Sequence, residues 1–533
     1  MLSLEPENWT LVEALRAQAE RRGGAVFCQF DEGRSHTFRE VESASDAFAA
    51  GLAQRGIGPG DRVMIVAANS FEFVVAFFGV QKRRAVFVPI NTELRGSLLE
   101  HQIRDANPKL IVTDRDLTAG LAIQDLPDCR IVGLRDGVPP IGAGILEPFT
   151  DLCVASDRSA LLHPMAHDIG LILYTSGTTG PSKGVLVPQA HACLFGIQQA
   201  RALDVGEGDR FLIALPMFHV NALLMSLGAC VLSGASAYIL ARFSASRWLE
   251  DVRTARATVT NMLGVMAEFV LQQPPSSGDG THQLTRVLAV PVSAQWADQF
   301  QDRFGVQLVQ TYGMTECNMI SFSRRDEELI PGCVGPVSDA YFEVSIVDPE
   351  SDRTLGADEV GEIVVRPRVP FGVMQGYLNR PEVTLRAWRN LWFHTGDAGK
   401  IDPRGRLHFV DRMGDVIRRR GENISAFEIE QVLNTHPEVV ECVVLGLKVE
   451  GAGGEHEVCT YLVLRTASFD QGRFIDWCVS RLPRYAIPRF LCVVPEIEKT
   501  ATGKTRKQDL RNRGVTPEMW DREKAGLRLA RGP

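Results

Sequence analysis

A loop between two β-prone runs carries the residue types that bind polyphosphate. Residues 171–187 read LILYTSGTTGPSKGVLV, a buried-strand pattern that opens into a loop of Thr, Ser and Gly closed by Lys183. Its glycines permit tight turns in which backbone N–H groups converge, and the hydroxyls and Lys183 add donors and a cation. The pattern predicts a phosphate-binding loop, with an ordinary hairpin loop as the alternative. The candidate residues are Thr175, Ser176, Gly177, Thr178, Thr179, Gly180 and Lys183.

This loop is not a Walker A motif. That motif requires Gly at position 182 and Ser or Thr at position 184, where this sequence has Ser182 and Gly184. Any phosphate contact would therefore follow a different geometry.

A second cluster, QTYGMTE over residues 310–316, follows a strand-like run and places an aromatic ring, a hydroxyl and a carboxylate at one turn. Tyr312 could stack on a purine next to Gly313, and Thr315 could meet an α-phosphate. Glu316 could hold Mg²⁺ together with phosphate oxygens, with Thr175 as a second candidate ligand. A surface turn with an incidental acid is the alternative.

Two further side chains follow predicted strands. His219, in PMFHVN, lies just past a strand's carboxyl end, the edge at which open α/β sheets bind ligands. A lone histidine is also commonly a structural hydrogen-bonding residue. Asp397, in WFHTGD, is suited to accept hydrogen bonds from two ribose hydroxyls, or it is a plain turn residue.

The composition is that of a folded globular protein too long for one core. The chain has 533 residues, 45% hydrophobic and 23% charged, which predicts at least two domains. A net charge of -8 argues against bulk nucleic-acid binding. The most apolar window, 220–241, contains glycines and serines and predicts a buried helix and strand rather than a membrane span.

The N-terminal sequence and the cysteines predict a cytoplasmic protein. The N-terminus shows no signal-peptide pattern. Eleven cysteines without a CxxC pair favour reduced thiols over a disulfide or zinc framework.

Local patterns predict crossover units on a largely parallel sheet. Thr10–Glu13 and Thr37–Glu40 have the form of capping boxes that open helices ending near Arg22 and Arg55. Helix and strand patterns then alternate to about residue 112. Residues 129–165 read as Pro-rich and irregular.

The motifs together resemble the adenylate-forming superfamily of acyl-CoA synthetases, peptide-synthetase adenylation domains and luciferases. The resemblance is carried in order by YTSGTTGPSKG, PMFH, QTYGMTE, GY with Asn379, WFHTGD, Asp411-Arg412 and the TGK at Lys504. It covers nearly the whole chain and looks closest to the crotonobetaine/carnitine-CoA ligase branch.

The resemblance implies a role for each matching residue. His219 would gate the acyl pocket, Arg412 would contact ribose or the α-phosphate, and Lys504 would be the catalytic lysine. Gly414 would be the hinge, in a position where the family has Asp or Lys. The loop 421–425, with Gly421, Glu422 and Asn423, would present CoA, and Arg418–Arg420 could meet its phosphates or form a solvated face. Residues 289–292, AVPV, depart from the family's GGAP-like turn.

The expected fold is α/β. A large N-terminal domain, 1–413, has layered sheets and a small β-barrel-like part, and a small mobile α+β lid occupies 414–533. The expected function is an ATP-dependent carboxylate–CoA ligase that uses ATP, Mg²⁺ and CoA. Its expected partner is a small-molecule carboxylic acid, with no nucleic acid and no integral membrane. A homodimer is compatible with the sequence. The alternatives are an adenylation enzyme that loads a carrier protein in trans, a luciferase-like oxygenase and a non-catalytic ATP-binding protein.

Overall fold

The computed structural model describes most of the chain. The described residues are 5–31, 33–114, 129–134, 146–155, 160–175, 181–293, 296–330, 332–412, 416–419, 422–449, 456–466, 468–498, 507–527 and 529.

Secondary structure is distributed along the whole described chain. The strands are β1 Val26–Phe30, β2 Ser35–Thr37, β3 Arg62–Val66, β4 Val86–Pro89, β5 Leu110–Thr113, β6 Arg130–Gly133, β7 Leu146–Pro148, β8 Ile169–Thr175, β9 Lys183–Pro188, β10 Arg210–Ile213, β11 Ser236–Ile239, β12 Val259–Leu263, β13 Arg286–Val290, β14 Gln307–Met314, β15 Asn318–Phe322, β16 Cys333–Pro336, β17 Phe342–Val347, β18 Gly361–Pro367, β19 Gly376–Tyr377, β20 Phe393–Ile401, β21 Arg406–Arg412, β22 Val416–Arg419, β23 Glu422–Ser425, β24 Val439–Lys448, β25 His456–Leu464, β26 Phe490–Val493 and β27 Trp520–Asp521. The α-helices are α1 Leu11–Arg22, α2 Phe38–Gln54, α3 Phe71–Gln81, α4 Gly96–Ala106, α5 Gln189–Leu203, α6 Gly228–Ser233, α7 Trp248–Ala255, α8 Gly264–Leu271, α9 Ala297–Phe304, α10 Pro381–Ala387, α11 Ala426–Leu433, α12 Gln471–Val479 and α13 Lys507–Asn512, and a π-helix spans Asn221–Leu227.

The first sheet has the strand order β19-β9-β8-β4-β3-β5-β6-β7. Strand β3 pairs in parallel with both β4 and β5, which confirms the predicted crossover units. Strands β8 and β9 are antiparallel neighbours, so the candidate phosphate loop joins the end of β8 to the start of β9.

Helix capping follows the sequence patterns closely. Thr37 and Glu40 form the complete reciprocal capping box at the start of α2, and the Thr10 hydroxyl accepts a hydrogen bond from the Glu13 amide at the start of α1. Both helices end within a residue of the predicted limits.

The second large sheet has the order β15-β14-β13-β12-β10-β11-β1-β2. Strands β10, β12, β13 and β14 run parallel, so their carboxyl ends meet at one edge. The segments that follow β10 and β14 carry the candidate residues His219 and Glu316, and this edge brings the two segments together.

Two smaller parts complete the chain. The expected barrel-like part is an antiparallel sheet in the order β16-β21-β20-β18-β17. The C-terminal part contains the hairpin β22–β23 and the sheet β24-β25-β26-β27, packed with α11 and α12 around its own core. The predicted α/β class, with a large N-terminal and a small C-terminal part, is confirmed.

Other sequence predictions have mixed outcomes. The window 220–241 is the buried π-helix, α6 and β11, as predicted. Among the described helices, none has the length and apolarity needed to cross a bilayer. All eleven cysteines are free thiols. Residues 129–165 are wrongly predicted as irregular, because β6 and β7 extend the parallel sheet there. Gly414 lies outside the described residues.

A fully buried lysine joins α2 to the end of α3. The Nζ atom of Lys82 lies 2.8 Å from Glu42 Oε2 and 2.5 Å from Asp46 Oδ1, and it donates to the Ser45 hydroxyl at 2.9 Å. Burial raises the pKa of Glu42 above its ordinary value, and Lys82 opposes this rise. Without Lys82, the carboxyl groups of Glu42 and Asp46, which are only 14% and 15% exposed, would lose the cation that they share.

We therefore expect Lys82→Met to destabilise the protein by about 3–5 kcal/mol, because it leaves two largely buried carboxylates with Arg16 as their remaining cation, 3.9 Å from Glu42. Lys109→Met is the matched control, since Lys109 is 56% exposed and pairs with Asp61 at the surface; its effect should stay below about 1 kcal/mol. Chemical denaturation of the three proteins measures the difference. Equal stabilities would show that Glu42 and Asp46 need no cation.

Candidate functional site

The base of the candidate phosphate loop is a pair of facing strand residues. Thr175 ends β8 and Lys183 begins β9, and the two are directly paired across the ladder. The loop residues Ser176, Gly177, Thr178, Thr179 and Gly180 lie outside the described residues.

Glu316 joins three separate segments of the chain. Its Oε1 atom accepts a hydrogen bond from Thr175 Oγ1 at 3.2 Å and another from Tyr377 Oη at 3.1 Å. Its side chain is buried, with 5% exposure for the residue. The segment 310–316, the base of the phosphate loop and the turn at Tyr377 therefore meet at one carboxylate.

Lys183 lies beside this carboxylate. Its Nζ atom is 4.6 Å from the centre of the Tyr377 ring, a cation–π contact. Burial lowers the pKa of Lys183, and the negative charge of Glu316 opposes that shift. Burial, followed by the charge of Glu316, raises the pKa of Tyr377 well above its ordinary value, so Tyr377 is a neutral phenol that donates to Glu316. The cluster thus holds one buried cation and one buried anion.

This cluster has too few acidic groups to hold a metal ion by itself. In the part of the chain that the structure describes, no three or more His, Cys, Asp or Glu side chains are grouped as metal ligands. A single carboxylate and a hydroxyl fit Mg²⁺ when phosphate oxygens and water complete its octahedron. The donor set of Glu316 and Thr175 is therefore chemically compatible with a magnesium–polyphosphate complex.

Tyr312 and Asp397 form a second buried pair. Tyr312 Oη donates to Asp397 Oδ2 at 2.8 Å, and the two residues are 7% and 3% exposed. Burial, and then the Asp397 charge, raises the pKa of Tyr312 well above its ordinary value, so the phenol remains a donor. The Tyr312 ring also stacks on Phe409, with 5.8 Å between centroids.

Arg412 lies opposite Asp397 in the strand ladder. Strands β20 and β21 pair antiparallel, with Asp397 directly across from Arg412. The backbone thus brings together two of the predicted nucleotide-binding residues.

A cavity of about 720 Å³ collects several of the candidate residues. His219, Tyr312, Gly313, Thr315 and Asp397 all line it. Thr175, Lys183 and Glu316 are not among its lining residues, although Glu316 directly follows the lining residue Thr315 in the chain. The predicted carboxyl-edge location of His219 is confirmed.

Asn69 fixes the turn that carries His219. Its Nδ2 atom donates to the carbonyl oxygens of Leu215 and Leu240 at 3.1 and 2.9 Å, and its Oδ1 atom accepts from the Met217 amide at 2.7 Å. Asn69 thereby joins the ends of β10 and β11 to the turn. Sequence reasoning missed this role, because Asn69 lies about 150 residues before His219 in the chain.

The small C-terminal part also contributes to the cavity. Arg484 and Tyr485 line it, and Tyr485 Oη accepts a hydrogen bond from Asn91 Nδ2 at 3.0 Å. Sequence reasoning missed both residues, since no motif marks them.

The sequence marks Tyr377 only as part of a turn, and its contact with Glu316 is found only in the structure.

The hairpin of the candidate CoA loop places one arginine in the interior. Arg419 is 2% exposed, donates to the carbonyl oxygens of Tyr485 and Ile487 at 2.9 and 3.0 Å, and pairs with Glu457 at 2.6 Å. The prediction that Arg419 meets phosphate or forms a solvated face is therefore wrong. Glu422 and Asn423 lie in β23, facing Arg419 and Arg418 in the ladder.

Several predicted residues fall outside the described residues. These are Lys504, Gly421 and the hinge Gly414. The atypical segment 289–292 is described in full, and Val290, Pro291 and Val292 line the cavity.

Known proteins match this chain along most of its length. A family model described as "AMP-binding enzyme" matches residues 15–378, and "AMP-binding enzyme C-terminal domain" matches residues 428–504. Crotonobetaine/carnitine–CoA ligase from Salmonella paratyphi B is 30% identical over 471 residues, covering 86% of this chain and 89% of that protein.

Solved structures of similar proteins share the fold. A double mutant of o-succinylbenzoate CoA synthetase from Bacillus subtilis has a TM-score of 0.80 at 26% identity, covering 95% of this chain and 99% of that chain. ATP-bound MatB from Rhodopseudomonas palustris has a TM-score of 0.67 at 26% identity, with the same coverage. The amide bond synthetase McbA from Marinactinospora thermotolerans, at 24% identity, has a TM-score of 0.79 over 94% of this chain and 99% of that chain.

The first of these family models covers well over half of the chain. The chain belongs to the AMP-binding enzyme family of adenylate-forming enzymes and has acyl-CoA ligases among its relatives.

Proposed function

We propose that this protein is an ATP-dependent carboxylate–CoA ligase that works in two steps. A carboxylate first attacks the α-phosphate of ATP, forming an acyl-adenylate and releasing pyrophosphate. The CoA thiolate then attacks the acyl carbon and releases AMP. The observation that carries the proposal is the Glu316 cluster, which places a carboxylate, a hydroxyl and Lys183 at the base of a Gly/Ser/Thr loop beside a cavity.

In the first step two anions must approach each other. The acid and the triphosphate repel, so groups that screen charge along the line of attack lower the barrier. Lys183 would supply a cation at the phosphate loop, and Thr315, which lines the cavity, would donate to the α-phosphate. Glu316 would hold Mg²⁺, which neutralises phosphate charge when bound. Lys504 is proposed as the lysine that contacts the transition state.

The nucleoside would occupy the part of the cavity next to Asp397. The Asp397 carboxylate would accept hydrogen bonds from the ribose hydroxyls while Tyr312 Oη holds it in place. The Tyr312 ring would form one side of the purine site, and Arg412 would approach the nucleotide from the facing strand. The acid would lie near His219, which would close the acyl site.

The second step would require the small domain to turn. Gly414 is the proposed hinge, and glycine can absorb a large change in φ and ψ. The turn would withdraw Lys504 and bring the loop 421–425, with Gly421, Glu422 and Asn423, to the acyl-adenylate. CoA would then be the acceptor; a carrier protein acting in trans is the competing acceptor.

The function is tested by measuring pyrophosphate release over a panel of carboxylic acids, with and without CoA. The proposal predicts acid-dependent release that CoA accelerates, together with an acyl-CoA product identified by mass spectrometry. Release of pyrophosphate without any thioester, even with CoA present, would point to a carrier protein as the acceptor. Absence of acid-dependent release with every acid would contradict the proposed reaction.

Lys504→Ala should lower acyl-adenylate formation by roughly 10²–10³, because the variant loses a charge contact made only in that transition state. CoA capture of a supplied acyl-adenylate should be largely retained, since Lys504 is withdrawn in that step. The two half-reactions are measured separately, with Lys499→Ala as the neighbouring control. An equal loss in both would contradict the assignment of Lys504 to the first step.

Glu316→Gln should lower Mg²⁺-dependent adenylation by roughly 10²–10³ while the protein stays folded. The glutamine oxygen can still accept from Thr175 and Tyr377, so the melting temperature should change by only a few degrees. A magnesium titration of pyrophosphate release, with Tyr377→Phe as a control that leaves the carboxylate in place, separates charge from packing. A collapse in melting temperature would show that Glu316 is structural.

A further inference from the structure

A chain of three side-chain amides runs from the protein interior to the wall of the cavity. Gln199 Nε2 donates to Asn261 Oδ1 at 2.9 Å, and Asn261 Nδ2 donates to Asn221 Oδ1 at 2.8 Å. Gln199 and Asn261 are buried, whereas Asn221 is half-buried and lines the cavity. The amide chain therefore ends at a surface that a substrate can touch.

Ser226 fixes the direction of this amide chain. Its hydroxyl donates to the backbone carbonyl of Asn221 at 2.9 Å, which uses its only hydrogen. Ser226 Oγ must therefore accept from Asn261 Nδ2, which lies 3.2 Å away. This orients Asn261 so that its NH₂ group also faces Asn221. The Asn221 oxygen consequently turns inward.

The amide nitrogen of Asn221 is left for the cavity. Within the described part of the chain, Asn221 Nδ2 has no hydrogen-bond partner. Because the oxygen of the same amide faces Asn261, the nitrogen lies on the other side of the planar group. The cavity wall thus offers a fixed hydrogen-bond donor.

The elements that carry this wall contribute no Asp, Glu, Lys or Arg side chain to the cavity lining, and His219 in the preceding turn also lines the cavity. The wall is formed by the π-helix and by residues of α5, α8, β12 and β15, namely Phe195, Met225, Leu263, Met266 and Met319. The charged lining residues Glu93, Arg242, Asp397 and Arg484 come from other segments. A charged group placed against Asn221 would lose its hydration without gaining an Asp, Glu, Lys or Arg counter-ion on this wall. An uncharged acceptor meets no such penalty.

We propose that the acid used by this protein carries an uncharged hydrogen-bond acceptor away from its reacting carboxyl group. A keto, ether or hydroxyl oxygen would accept from Asn221 Nδ2, and the apolar body of the acid would contact the methionines. Asn221 is then a specificity-determining residue, which Asn261 and Ser226 position. This inference rests on the proposed ligase function.

The test compares matched pairs of acids that differ only in the acceptor. Suitable pairs are hexanoate with 5-oxohexanoate, octanoate with 7-oxooctanoate, and benzoate with 4-methoxybenzoate, with 4-(trimethylammonio)butanoate as a cationic probe that has no oxygen acceptor. The readout is kcat/KM for pyrophosphate release in the presence of ATP, Mg²⁺ and CoA. The wild-type protein should prefer the acceptor-bearing member of the best pair by roughly 10- to 100-fold, because a donor left unpaired in a dry site is costly.

Asn221→Leu should abolish this preference by selectively lowering kcat/KM for the acceptor-bearing acid. Asn221→Ala serves as a second variant if leucine disturbs folding, with melting temperatures as the check. Met225→Leu is the matched control, since Met225 lines the same wall and has no polar donor; it should change both acids of a pair alike.

Two results would overturn the inference while leaving the ligase function standing. One is turnover of both members of every pair at equal kcat/KM, or turnover of 4-(trimethylammonio)butanoate in preference to all of them. The other is a preference that persists unchanged in the Asn221 variants. Absence of acid-dependent turnover with every acid would contradict the ligase function and this inference together.

Discussion

The hydrogen bonds to Glu316 impose the constraint on which the rest of the site depends. Thr175 lies 141 positions before this residue and Tyr377 lies 61 positions after it, yet both hydroxyls donate to the same carboxylate oxygen. A buried carboxylate is costly unless it is paired and hydrogen-bonded, so the two donors and Lys183 make its position tolerable. The same contacts fix where the phosphate loop begins, relative to the end of β14.

The small C-terminal part is tied to this arrangement through a second set of buried contacts. Arg419 binds the carbonyl oxygen of Tyr485, and the Tyr485 hydroxyl accepts from Asn91 in the large domain. Arg419 belongs to the hairpin β22–β23, so its bond to Tyr485 holds the hairpin to the segment that touches the large domain. Glu457 neutralises the charge of the buried Arg419 guanidinium. A movement of the small domain would carry the hairpin and Tyr485 together, and it would break the contact with Asn91.

The sequence predicted what is locally encoded. Capping boxes at Thr10 and Thr37 predicted where two helices begin, and alternating helix and strand patterns predicted the largely parallel sheet in which β3 pairs with β4 and β5. Contacts between distant residues were not accessible in this way. The roles of Asn69 and Tyr485 depend on hydrogen bonds to residues that are distant in the chain. The burial of Arg419 depends on its ion pair with Glu457 and on its bonds to two carbonyl oxygens. The short strands β6 and β7 were not predicted, because they lie in a Pro-rich part of the sequence. They become strands by pairing at the end of a sheet that the other strands form.

The π-helix Asn221–Leu227 has a consequence for how such a site can change. A π-turn contains one residue more than an α-turn and commonly arises as a single-residue bulge within an α-helix. Here α6 follows it directly, so the bulge is accommodated without ending the helix. Removing one residue from this turn would restore α-helical pairing and rotate Asn221 about the helix axis by about 100°. The loss of one residue can therefore replace the polar part of this cavity wall with an apolar one. The sheets and the Glu316 cluster would stay as they are.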